Sequence, residues 1–307
     1  MKHIFIVNPA AGPVSPLDEI REKLNKTEFS DSAEIYVTHE PQDATKYVRM
    51  RCSEEPNETL RFYACGGDGT LNEVADGAMG FENAEVSCYP CGSGNDYIKY
   101  YGNKEDFCDL DTLMHSEAQP IDMMSVCGRH CINVCNFGFD AKVAQTMAKV
   151  RRKKIIGGNN AYTTGIVNAI FTAMNNNCKV YADGELLNPK GKILLCTVAN
   201  GQYVGGAYRC APRSLNNDGA LEVCLVTPVS IFKFLQLIGV YKIGGHFDDR
   251  RFDKYIIYKR AKKVEVVASD GFNVCMDGEM TQSGHYSVEV IPGAIKFAAP
   301  TKVTAKV

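Results

Sequence analysis

Asp68 sits in the stretch RFYACGGDGTLNEVADG, residues 61–77, with Gly66, Gly67 and Gly69 packed around it and Thr70 next in line. An apolar run that reads as a buried strand precedes it, and a periodic run that reads as a helix follows. Two readings are open, a tight acidic turn or a cradle for phosphate. Glycines let the backbone approach an anion and aim successive N–H groups at it, and a helix beginning near Thr70 would add its positive end. A carboxylate inside such a cradle repels phosphate unless a divalent cation stands between them, so Asp68 implies Mg2+, held directly or through water. The pattern is neither the dinucleotide GxGxxG nor a Walker A, because no Lys-Ser/Thr follows. A second glycine turn, PCGSGNDY at 90–97, follows the next strand and carries Gly92, Ser93, Asn95 and Asp96 to the same sheet edge. Side by side at the carboxyl ends of parallel strands, the two loops favour the cradle.

Other acidic turns need sorting, because Asp-Gly is a common turn dipeptide and the chain has six. Asp183-Gly184 lies at the middle of a hairpin, Asp76-Gly77 inside or at the end of a helix, and Asp270-Gly271 between two strands. These three read as structural. Asp218-Gly219 in NNDG and Asp277-Gly278 in MDGE each keep a turn reading and a functional one.

The elements that must hold these residues fall into two textures. Up to about residue 120, strands such as HIFIV, AEIYVT, LRFYAC and AEVSCYP alternate with helices, one marked by Leu17, Ile20 and Leu24, another, DATKYVRMRC, with Asp43 as N-cap. The helix after the first glycine loop runs to about Gly80. From about Ile121, period-two strands such as GKILLCTVAN, GALEVCLVT, KKVEVVAS and HYSVEVI take over, decorated by helices near 141–154, 160–176 and 230–242. The expected architecture is an α/β plus β-rich chain: a Rossmann-like parallel-sheet domain at 1–121 and an antiparallel sandwich- or barrel-like domain at 122–297, with a cleft between them.

Composition narrows the function. Apolar residues at 45% and charged residues at 23% are the usual globular balance, and a net charge of −2 gives no field to draw the chain onto nucleic acid. Thirteen cysteines without a framework, after an N-terminus too short in apolar run for a signal peptide, point to a reducing cytoplasmic setting with free thiols. Cys88 and Cys91 form a CxxC with no second pair or nearby His, and Cys127, Cys131 and Cys135 fall in a hairpin with Gly128-Arg129 at its turn; buried inert thiols are the preferred reading. IFKFLQLIGVY at 231–241 is too short to span a bilayer and reads as a core helix or one leaning on a membrane surface. The run KVRRKK at 149–154 reads as a solvated helix end or as a docking patch for anionic lipid head groups.

In combination, NPAAG at 8–12, GGDGTLNEV at 66–74, GSGND at 92–96, NFGFDA at 136–141, NGQYVGGA at 200–207, APRSLNNDGALEV at 211–223 and MDGE at 276–279 resemble the soluble bacterial diacylglycerol kinase and lipid kinase family, related to sphingosine kinases. GGDGT alone is shared with NAD kinases, and GSGND with the late DGE points to the lipid kinases. The resemblance implies ATP- and Mg2+-dependent phosphorylation of a lipid hydroxyl, most simply diacylglycerol to phosphatidic acid, by a cytoplasmic protein that visits the inner membrane face. It implies that the chain end, from about 298 to 307, returns to the first domain. By the same resemblance Asn8, Gly12 and Thr38 match nucleotide contacts, as do Gly66, Gly67, Gly69 and Thr70 with Gly92, Ser93 and Asn95. Asp68, Asp96 and Asp122 match carboxylates that hold catalytic Mg2+ through waters, Asp277 matches the general base with Glu279 beside it, and Asp218 with the carbonyls of Leu215 and Ala220 matches a structural Mg2+ site. A homodimer is left open, an NAD kinase-like enzyme or a catalytically silent nucleotide-binding regulator is the alternative, and PVSP after NPAAG departs from the family pattern.

Overall fold

Strands buried along nearly their whole length lie in a sheet covered on both faces. That is the case in the first of two units, which comprises Met1–Met123 and the segment from Pro292. The computed structural model describes residues 1–12, 15–152 and 159–300. In this unit β1 (Lys2–Val7), α1 (Leu17–Leu24), β2 (Ala33–Val37), α2 (Asp43–Glu54), β3 (Leu60–Gly66), α3 (Asp68–Ala78) and β4 (Ala84–Pro90) alternate as their patterns predict. Their sheet is parallel in the order β4-β3-β1-β2, which sets the ends of β1, β3 and β4 at one edge. The short helices α4 (Lys104–Cys108) and α5 (Leu110–His115) lead to β5 (Ala118–Val126).

Two details differ from expectation, the start of α3 and the cap of α2, and Gly77 takes the first of its two expected places. Helix α3 starts at Asp68 rather than near Thr70, which puts the carboxylate in its first turn. Gly77 lies inside α3 as a packing surface, since a Cβ there would meet Val48 Cβ at 2.8 Å and the Thr45 carbonyl at 2.9 Å. Asp43 is the first residue of α2 rather than its N-cap; Gln42 before it takes φ 68°, and the Asp43 carboxylate accepts the His39 N–H at 2.8 Å.

The second unit, Met124–Ile291, is built on hairpins. It contains β6 (Arg129–Cys131), β7 (Val134–Gly138), α6 (Phe139–Arg152), α7 (Asn159–Thr172), β8 (Asn176–Ala182), β9 (Glu185–Leu186), β10 (Lys192–Ile193), β11 (Leu195–Ala199), β12 (Leu221–Val226), α8 (Ile231–Lys242), β13 (Ile256–Ala261), β14 (Lys263–Met276) and most of β15 (Glu279–Ala298). The sheet is antiparallel in the order β13-β12-β11-β7-β14-β15, with β8 also on β14. One core cluster, including Phe137, Val198, Val223, Val266 and Tyr286, lies within the strands. A second joins Phe139, Ala169 and Ala173 to Phe234, Leu237 and Tyr241, seating α6, α7 and α8. The end of β15 belongs to the first unit, where Lys296 and Phe297 pair in parallel with Glu85 and Val86 of β4. Chain beyond residue 300, expected to return to the first domain, lies outside the described residues, as do Pro13 and Val14 of PVSP.

Two turns were misplaced by sequence. The β5–β6 hairpin turns on Cys127-Gly128, at φ 50° and 80°, not on Gly128-Arg129. Positive φ at both central positions is the mark of a type I′ turn, which suits Gly128 in second place. Asp270-Gly271 does not connect strands; it lies within β14, where the register to β15 shifts between Val267 and Phe272. All thirteen cysteines are free. Burial pushes Cys91 and Cys178 up to about 12 and Cys65 and Cys88 well above the ordinary thiol range, so these stay protonated. Of KVRRKK, Lys149 is exposed and the remaining side chains lie outside the described residues.

Asp140, in the first turn of α6, has a buried Oδ2 with no hydrogen-bond partner. Burial pushes its carboxyl up from 3.8 to about 7. Because the folded-state value is raised, the stability present below the unfolded value is lost as pH rises through the folded one. Asp140→Asn should therefore gain on the parent protein between about pH 4 and pH 7, by up to a few kcal/mol. Thermal unfolding across that range reads the gap, and a gap independent of pH would contradict the assignment.

Candidate active site

Backbone geometry at the edge of the parallel sheet brings the two glycine loops into contact. The Gly66 carbonyl, at the end of β3, accepts the Cys91 N–H at 2.8 Å and the Gly92 N–H at 3.1 Å. A Cβ on Gly92 would lie 2.5 Å from Gly67 Cα, and one on Gly66 would lie 2.2 Å from Thr70 Oγ1. The glycines at 66 and 92 are thus required by close approach. Around Gly69 a Cβ would meet nothing within 4 Å, which leaves open space at the start of α3.

Asp68 joins the loops by its side chain. Its Oδ1 accepts the Asp96 N–H at 2.6 Å and the Tyr97 N–H at 3.2 Å. A Cβ placed on Gly94 would lie 3.0 Å from Asp68 Oδ2 and 3.5 Å from Asp96 Oδ2, so both carboxylates close on one point. Two hard oxygen donors arranged this way fit a divalent cation. Lys99 Nζ stands 2.6 Å from Asp96 Oδ1. The charge of Asp68 is also met by two N–H groups and the positive end of α3, so a metal is not its sole counter-charge.

The remaining first-unit residues have separate tasks. Asn8 Nδ2 donates to Thr70 Oγ1 at 3.0 Å, and the Asn8 N–H donates to the Cys65 carbonyl at 3.0 Å, fixing the end of β1 against the first loop. Thr38 donates from its backbone to Val7 at 2.9 Å, and Gly12 takes φ 78°. Asn95, at φ 48°, folds back on its own loop, giving Nδ2 to the Gly92 carbonyl at 2.7 Å and taking the Gly92 N–H on Oδ1 at 3.1 Å. Ser93 is exposed beside a pocket of about 410 Å³, whose lining includes Lys99 and Lys104. Sequence reasoning missed both lysines; their signal was a pair of cations within ten residues of GSGND. Buried Asp122 accepts the Gly293 N–H at 2.8 Å and so ties β5 to β15. Among the described residues no three His, Cys, Asp or Glu side chains group as metal ligands, so Asp122 does not complete a direct ligand set with Asp68 and Asp96.

The candidate residues of the second unit lie on its own strands. Asp277 and Gly278, at φ 45° and 90°, make the β14–β15 hairpin turn. The turn reading of Asp277 is realised, and its carboxylate also accepts three backbone N–H groups: Ile132 at 2.8 Å and Asn133 at 3.1 Å on Oδ2, and Val134 at 2.8 Å on Oδ1. Burial nevertheless raises its pKa above the ordinary aspartate value, outweighing the donors that lower it. Glu279, which the resemblance sets beside the base, is exposed and ion-paired with Arg129. Asp218 gives one oxygen to Arg260 and takes the Ala220 N–H on the other at 3.1 Å. The same guanidinium reaches Glu222 at 3.2 Å, so Arg260 meets the charge of both carboxylates.

A parallel α/β unit with touching glycine loops, followed by an antiparallel β-rich unit, is the fold class of the diacylglycerol kinase-like structures. Residues 2–126 match the diacylglycerol kinase catalytic domain, and residues 133–299 match the YegS C-terminal NAD kinase beta sandwich-like domain. The chain is 30% identical to the diacylglycerol kinase of Bacillus subtilis over 282 residues, covering 90% of this chain and 88% of that one. It is 29% identical over 272 residues to the "Probable lipid kinase YegS-like" of Pseudomonas aeruginosa, covering 87% of this chain and 84% of that one. A solved diacylglycerol kinase from Bacillus anthracis shares the fold at a TM-score of 0.70 and 23% identity, covering 99% of this chain and 98% of that one. The chain belongs to the diacylglycerol kinase and YegS-like lipid kinase family and is a kinase-type enzyme.

Gly92→Ala sets a methyl group against the Gly67 backbone, which cannot rotate away. It should cost about 1–3 kcal/mol in chemical unfolding, and a cost below 0.5 kcal/mol would mean that the loops are not in contact.

Proposed function

We propose that the protein transfers the γ-phosphoryl group of ATP to the hydroxyl of a membrane lipid, with diacylglycerol as the first acceptor to test. The observation that carries this reading is the convergence of the Asp68 and Asp96 carboxylates at Gly94, directly beside two loops of glycine backbone. Phosphoryl transfer asks mainly for positioning and charge neutralisation, which N–H groups and a divalent cation supply. When bound, Mg2+ would neutralise phosphate charge, with Asp68 and Asp96 as its protein donors. Gly67, Gly69 and Thr70 would present the α3 amino end to the phosphates. Lys99 and Lys104 are proposed to face the nucleotide from the pocket of the second loop.

Asp277 is proposed as the group that takes the proton of the acceptor hydroxyl. Its raised pKa makes it a better proton acceptor than an ordinary aspartate. Since a base works deprotonated, kcat/KM should rise with pH along a limb lying above the usual aspartate range near 3.9. A rate already at its plateau at about pH 4 would remove Asp277 from this role.

The function is tested with labelled ATP and Mg2+, offering diacylglycerol in mixed micelles, NAD, or no acceptor. Labelled lipid supports the proposal; product with NAD alone, or none at all, refutes it. Asp68→Asn retains an acceptor for the Asp96 and Tyr97 N–H groups and removes only the charge. It should lower kcat by at least about 10²-fold while leaving the melting temperature nearly unchanged. Unchanged turnover would show that the charge has no catalytic use.

A further inference from the structure

Helix α8 is apolar on both sides. Phe234, Leu237 and Tyr241 face the core, as a surface helix requires. Its outer side should then be polar, yet Ile231 is 45% exposed, Phe232 73%, Leu235 59%, and Ile243, one residue past its end, 74%. Phe232, Leu235, Gly239 and Ile243 follow one another at three- and four-residue steps, a single stripe. Among the described residues ten large apolar side chains are counted as exposed, and four of them fall in these thirteen positions, so the concentration is local. Scattered single residues of this kind need no explanation, whereas a contiguous stripe marks a surface that is covered at work.

The charges around the stripe indicate what covers it. Between Ile231 and Lys242 there is no acidic residue, and Lys233 and Lys242 stand at its two ends. Their ammonium groups lie 5.9 Å from the Tyr255 ring and 5.7 Å from the Tyr208 ring. Of the acidic residues that follow, Asp248 is ion-paired with Arg213 and Asp249 with Arg251. A second copy of the chain would bring like charges together across the stripe. A bilayer with anionic head groups takes apolar side chains at the acyl boundary and cations at the phosphates, and both needs are met. Among the described residues no helix is long and apolar enough to cross a membrane, so contact must be made at the surface.

We infer that the outer face of α8 docks the enzyme on anionic phospholipid, with Phe232 and Leu235 as the inserted anchors and Lys233 and Lys242 as the head-group contacts. The inference deepens the lipid-acceptor reading and rests on it for its purpose, though not for its measurement. Flotation with phosphatidylcholine vesicles, with and without about one third phosphatidylglycerol, is the test. The wild-type protein should float with the anionic vesicles only. Phe232→Ser with Leu235→Ser should lower the partition constant at least about tenfold at every salt concentration. Lys233→Gln with Lys242→Gln should weaken binding in low salt and change little in high salt, where the charges are already screened.

Both double variants carry surface changes, and circular dichroism confirms folding before flotation. Vesicle binding equal to wild type in the Phe232/Leu235 variant would overturn the inference. So would a variant that binds vesicles normally but sediments as monomer where the parent is a dimer, since the stripe would then belong to a second copy. Transfer to a water-soluble short-chain diacylglycerol, measured without vesicles, decides the kinase reading separately. A docking role predicts wild-type rates on that soluble acceptor in both variants and reduced rates on vesicle-borne acceptor.

Discussion

A single carboxylate oxygen, Asp68 Oδ1, holds the amide groups of Asp96 and Tyr97 and thereby joins two loops that follow different strands. Hydrogen bonds from amides to a charged acceptor contribute about 1.5–3 kcal/mol each when buried. They matter here less for total stability than for registry. With the loops joined, Gly92 meets Gly67, Asn95 closes its own turn, and the two Oδ2 atoms face the same glycine. The start of α3, the mouth of the second loop and the acidic pair cannot shift independently. Loops joined in this way are set before any ligand arrives, and a group that binds there meets them already in place.

The second unit repeats the device with Asp277, which gathers three consecutive amides at 132–134. Both aspartates therefore serve as backbone acceptors as well as charges. Their electrostatic situations differ. Asp68 lies in the first turn of α3, whereas burial raises the Asp277 carboxyl above the ordinary aspartate value.

Much of this was legible because glycine and charge are local signals. Three glycines around Asp68 at a strand end require close backbone approach whatever the fold, and alternating strands and helices fix which edge they occupy. The amide partners of Asp68 lie 28 and 29 residues away and depend on which strands are neighbours. Arg260 meets Asp218 across 42 residues, a partner that no spacing rule anticipates. Single-residue errors had single-residue causes: Gly128 fits the second place of its turn, and α3 starts where the loop contact fixes Asp68. The stripe on α8 was ambiguous for a different reason, since periodicity shows that a face is apolar but not whether protein or something else covers it.

Ser87 of β4 donates to the Ala298 carbonyl at 2.7 Å, across a separation of 211 residues. During synthesis the first four strands of the parallel sheet emerge early, yet the strand that pairs with β4 is made only after the whole second unit. Until then the β4 edge presents unpaired amides and carbonyls, which is a template for wrong partners. Closing so long a loop is slow compared with local pairing, so the late arrival of β15 should set the pace of maturation. The nascent first unit thus resembles a sheet with one missing strand, open to capture by chaperones or by another chain until residues 296–298 arrive.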